Sequence, residues 1–95
     1  MNTRNDNEIT PVLFRIDNNS GIEFAIFPYI SYSRSKRTLI YCPLGQHFEG
    51  DYRACIRKSK PAKPEEYKRL YSELVSIGYN MRVINRARHR KMYQL

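Results

Sequence analysis

The chain has 95 residues, 41% of them apolar, and a formal net charge of +8. That length excludes more than one domain of ordinary size, and the apolar share excludes wholesale disorder. No run of about 18 apolar residues occurs, so a membrane-spanning helix is not expected.

Residues 1–9 form a polar lead read as frayed, without the apolar segment of a secretory signal. The expectation is therefore a cytoplasmic protein in a reducing compartment. Pro11-Val12-Leu13-Phe14-Arg15-Ile16 reads as a first strand, with Val12, Phe14 and Ile16 on one face. Asp17-Asn18-Asn19-Ser20-Gly21 is a turn signal, and residues 22–27 read as a second strand completing a hairpin. Pro28 should end that strand, because it has no N–H for a ladder. Residues 29–37 read as a polar loop holding Tyr32 and the cluster Arg34-Ser35-Lys36-Arg37.

Residues 38–42 read as a third strand, followed by a turn built on Gly45-Gln46-His47. Ordinary hairpin turns favour Asn-Gly or Asp-Gly, so Gln46 and His47 stand out as candidate ligand or partner contacts. Residues 52–58 alternate Tyr52, Ala54 and Ile56 with Arg53, Cys55 and Arg57, the pattern of a fourth strand. Lys60-Pro61-Ala62-Lys63-Pro64 reads as a stiff connector. Pro64 suits the first turn of a helix, and Glu65 and Glu66 favour its positive end. Tyr67, Leu70, Tyr71, Leu74 and Ile77 then form one apolar stripe, closed by Gly78. This spacing predicts a helix over 64–77. Residues 79–86 alternate again and read as a last strand, before a basic tail over 87–95.

The order β-β-β-β-α-β predicts a single α+β domain, with a folded core over 10–86. Its architecture would be an antiparallel sheet of four to five strands with one helix on one face. If Ala54, Ile56, Met81 and Val83 face that helix, then Arg53, Arg57, Arg82 and Arg86 point away and form a cationic stripe.

Charge is uneven along the chain. Residues 1–33 hold two cations against four acids, residues 34–60 seven against two, and residues 61–95 eight against three. Such a field steers polyanions. The candidate nucleic-acid contacts are Arg34, Lys36, Arg37, Arg53, Arg57, Arg82, Arg86, Arg88, Arg90 and Lys91; a solvated surface is the alternative reading of the same cations. Tyr32 is the candidate for base stacking, whereas Tyr67, Tyr71 and Tyr79 are expected to pack in the core. His47 has no nucleophile or metal partner specified beside it, so no catalytic residue is expected. Cys42 and Cys55 are too few for a zinc site and are expected as free thiols, although a hairpin would let them face each other. No metal and no cofactor are implied.

The succession Phe24-Ala25-Ile26-Phe27-Pro28, Gly45-Gln46-His47, Asp51-Tyr52, Lys60-Pro61-Ala62-Lys63-Pro64-Glu65-Glu66-Tyr67 and Ser76-Ile77-Gly78-Tyr79 resembles a group of small uncharacterised proteins. They are carried by bacteriophages and bacterial mobile elements. The resemblance spans residues 12–85. In that group a small residue follows the Gly-Gln-His, where this chain has Phe48. The resemblance implies an accessory gene acting inside a bacterial cell and carries over no site residue.

The sequence therefore supports a non-catalytic accessory protein binding nucleic acid through a basic surface. The alternatives are a module that docks on an acidic host protein, a small-ligand binder at Gln46, His47 and Tyr52, and a virion component. An exposed edge strand would allow a homodimer.

Overall fold

The computed structural model describes residues 9–31, 38–43 and 45–87. Along the chain the elements are β1 (Thr10–Asp17), β2 (Glu23–Ser31), β3 (Thr38–Cys42), β4 (Gln46–Gly50), α1 (Tyr52–Arg57), β5 (Ser59–Pro61), α2 (Pro64–Ser76) and β6 (Met81–Val83). The fold is α+β, with a mostly antiparallel mixed sheet of six strands among the described residues.

The β1–β2 hairpin follows from its turn chemistry. One oxygen of Asp17 accepts from the N–H groups of Asn19 and Ser20, at 3.1 and 2.8 Å. Gly21 supplies the positive φ of 73° that closes the turn. The strands then pair in the order β4-β3-β2-β1-β5. β6 pairs β1 in parallel, with Thr10 opposite Met81, while β5 pairs its other end antiparallel, with Asp17 opposite Ser59. The two short strands thus share one edge of β1.

The helix predicted over 64–77 forms over Pro64–Ser76. The Lys63 N–H donates to Glu66 at 2.8 Å, satisfying one donor at its start. At its end the Gly78 N–H reaches Val75 O and the Tyr79 N–H reaches Leu74 O, a Schellman closure with Gly78 at φ 112°. Leu70 and Leu74 bury against Val12, Phe14, Ala25, Phe27, Leu39, Tyr41 and Met81. Tyr67, Tyr71 and Tyr79 pack on this core as expected, with Phe14–Tyr67 and Phe27–Tyr79 stacked at 4.2 and 4.7 Å. Ile77, at the helix C-cap, is 52% exposed and does not belong to the stripe.

Four expectations are corrected. Residues 52–58 do not form a strand: Tyr52–Arg57 is α1, begun by Asp51, whose side chain accepts from the Ala54 N–H. Pro28 does not end β2, which runs to Ser31; it sits where the β2–β3 register shifts between Phe27 and Ser31, a position that tolerates its missing N–H. The 60–64 connector begins as β5, with Lys60 and Pro61 opposite Ile16 and Arg15. The last strand is shorter than residues 79–86, and it makes the sheet mixed rather than antiparallel throughout.

α1 connects β4 to β5 across the sheet face opposite α2. Arg15 of β1 anchors it there. Its guanidinium donates to Ser59 Oγ at 2.9 Å, Ser59 O at 2.8 Å and Ile56 O at 3.2 Å. Burial lowers the Arg15 pKa from its ordinary value, partly opposed by the Tyr52 hydroxyl.

Candidate nucleic-acid interface

α1 has three faces, as its 100° step per residue dictates. Asp51, Ala54, Cys55 and Lys58 share one face and line a cleft. Ile56 holds the Arg15 bond, and Tyr52 accepts the Ala87 N–H at 3.1 Å. Arg53 and Arg57, one turn apart, are both exposed and lie about 130° around the helix from the cleft side.

The cationic stripe predicted for an open sheet face is therefore not formed there. Arg53 and Arg57 belong to a helix lying over that face, and Arg82 is on β6. All four arginines of the expected stripe are exposed nonetheless. The Ala87–Tyr52 bond joins the residue after Arg86 to the side chain of the first residue of α1, which Arg53 follows. Ser31 pairs Thr38, and Thr38 pairs Gly50, the residue before the Asp51 cap. Tyr32, Arg34, Lys36, Arg37, Arg88, Arg90 and Lys91 lie outside the described residues.

Gln46 and His47 are not turn residues but the first two of β4, opposite Cys42 and Tyr41. The turn lies earlier, with Gly45 at φ 81°. His47 Nε2 is 3.0 Å from the Tyr79 hydroxyl, and its ring meets Tyr41 edge-on at 4.6 Å. Tyr41, buried at 1% exposure, donates its hydroxyl hydrogen to Glu73. The Glu73 carboxylate, with burial second, pushes the Tyr41 pKa up to about 12. His47 thus joins the α2 side of the sheet, whereas Tyr52 lies on α1 over the other side. A shared site of Gln46, His47 and Tyr52 is not formed, because the sheet stands between His47 and Tyr52.

The cleft beside α1 has a volume of about 500 Å³. Phe24, Ile40 and Cys42 form its floor, and its walls are α1 and the β1–β2 turn. Asp17 and Lys58 line it together. The turn N–H and hydroxyl of Ser20 hold the Asp17 carboxyl below its usual range, with Lys58 adding to the effect. Burial, with Asp17 second, pushes the Cys42 thiol up. Both cysteines are free thiols. Cys55 lies beside Gly50, and Cys42 stands four residues along β3 from Thr38, the partner of Gly50, roughly 13 Å of strand. They do not face each other across a hairpin.

The cleft is not evident in the sequence, because it depends on α1 being a helix. Its one local signal is Asp51 three residues before Ala54, the spacing of an N-cap. Among the described residues no group of three or more His, Cys, Asp or Glu side chains is placed to hold a metal ion. No helix among them is long and apolar enough to cross a membrane. Comparison with protein-family models, curated proteins and solved structures gives no match.

Proposed function

We propose that the protein binds nucleic acid through the outer face of α1, with the other cations of the chain adding charge. The observation that carries this reading is the placement of Arg53 and Arg57 one turn apart on α1, exposed, with the residue after Arg86 tied to the same end by the Ala87–Tyr52 bond. Arginine suits the task because its planar fork pairs two donors with phosphate oxygens. The net charge of +8 supports it through long-range steering. Contacts of this kind position the nucleic acid and add affinity by releasing counterions, without reading sequence.

Fluorescence anisotropy with labelled single- and double-stranded DNA and RNA tests the reading, at salt from about 50 to about 300 mM. Binding in the micromolar range or tighter that weakens steeply with salt is expected. No binding at the lowest salt would overturn it and turn the charge toward an acidic protein partner, sought by capture from nuclease-treated bacterial lysate.

A further inference from the structure

α1 separates two surfaces of opposite character. Its outer face carries Arg53 and Arg57, while its inner face lines the apolar cleft with Asp51 and Lys58. Across the cleft stands Asp17. Each aspartate is fixed through its Oδ2, Asp17 by the turn amides and Asp51 by the Ala54 N–H. The Ser20 hydroxyl also bonds the Asp17 carboxyl. The cleft thus offers an apolar floor at Phe24 and Ile40, three carboxylates, of which Asp17 and Asp51 are oriented by hydrogen bonds and Glu23 is the third, and one ammonium donor at Lys58.

A volume of about 500 Å³ falls within the range of roughly 300–1,000 Å³ typical of small-molecule sites. The acceptor and donor pattern selects among planar groups. A carboxylate accepts N–H donors and cannot donate when ionised, and a lysine donates to acceptors. Guanine presents N–H donors beside O6 and N7, the acceptors that lysine contacts. Thymine offers one N–H between two carbonyls and would set a carbonyl against a carboxylate.

We propose that this cleft takes a guanine base, unstacked from a single strand whose phosphates lie along the outer face of α1. Phe24 provides the stacking surface, Lys58 meets O6 or N7, and Asp17 or Asp51 accepts from N1–H and N2–H. The proposal rests on the nucleic-acid reading for the strand, whereas the cleft itself recognises the base.

The test uses the whole protein and two probes. The first is anisotropy with a dG-containing and an all-dT single strand of equal length at one salt concentration. The second is the rate of Cys42 alkylation by N-ethylmaleimide, read by mass spectrometry with guanosine or thymidine present. The expected result is at least fivefold preference for the dG strand and slower Cys42 labelling with guanosine only. Asp17→Asn and Asp51→Asn keep an oxygen for the turn and cap while removing a carboxylate. In both, the preference should fall toward one while salt-dependent binding persists. Equal affinity for the two strands with unprotected Cys42 would overturn the cleft proposal and leave the phosphate-binding face standing. A preference untouched by both variants would overturn it too. If neither strand binds, the nucleic-acid reading fails, and guanosine alone decides: protection of Cys42 upholds the base site, and no protection overturns it.

Discussion

The Ala87 backbone N–H donates to the Tyr52 hydroxyl at 3.1 Å, joining the chain after β6 to the first residue of α1. The bond spans 35 residues of sequence and ties the residue after Arg86 to the side chain of the residue before Arg53. Tyr52→Phe removes it and leaves the ring in place. The expected cost is about 0.5–1.5 kcal/mol, with faster hydrogen exchange at Ala87 than in the parent protein. Exchange at Ala87 unchanged in the variant would show that something else holds this segment.

Arg15 is 8% exposed and holds the end of α1 and β5 through three hydrogen bonds. Arg15→Met fills similar space but leaves the carbonyls of Ile56 and Ser59 without these donors. A loss of about 2–4 kcal/mol is expected, since stranded acceptors keep their desolvation cost. Urea denaturation should show a lower midpoint at unchanged slope. A midpoint equal to that of the parent would exclude an anchoring role.

Tyr41→Phe tests the bond to Glu73. The pKa of Tyr41 lies above its unfolded value of 10.0, at about 12, so the native state holds this proton more tightly than the unfolded chain. The resulting stability is fully present below pH 10 and disappears as pH rises toward 12. At neutral pH the variant should be less stable by about 1.5–3 kcal/mol, the range for hydrogen bonds to charged groups. Thermal unfolding across the alkaline range should show that difference shrinking as pH approaches 12. A constant difference would contradict the shift.

Gly50 lies under Ile40, and a Cβ at this position would collide with Ile40 Cδ1. Ile40 is 1% exposed and has little room to retreat. Gly50→Ala should cost about 1–3 kcal/mol by overpacking. Adding Ile40→Val removes the clashing methyl, so the double variant should be more stable than the sum of the two single losses. Additive losses in a denaturation series would place the strain elsewhere.

Elements specified by local chemistry are legible in the sequence. The Asp17 turn, β3, and α2 with its proline start and Gly78 end each form from signals a few residues apart. The 52–58 segment is ambiguous because Tyr52, Ala54 and Ile56 fit a strand period over a stretch too short to distinguish it from one helical turn. The Asp51 cap settles it. That one segment decides the shape of the candidate site: the four arginines are exposed in either arrangement, but the open sheet face they were to line is a cleft roofed on one side by α1. Arg15 shows the other limit. Nothing near it in sequence marks it for burial, because its partners Ile56 and Ser59 are 41 and 44 residues away. His47 hydrogen-bonds Tyr79, a partner 32 residues on and beyond α2 that nothing near it in sequence announces.

The most direct measurement compares the parent protein with the Arg53→Ala/Arg57→Ala double variant by salt-dependent anisotropy against one single-stranded oligonucleotide. Both side chains are exposed, and the unfolding temperature measured alongside establishes that the variant is folded. Weaker binding is expected, with a shallower dependence of log K on log salt, by about 0.7 for each phosphate no longer neutralised. Equal affinity and equal slope in a folded double variant would contradict the assignment of α1 as the nucleic-acid-binding face.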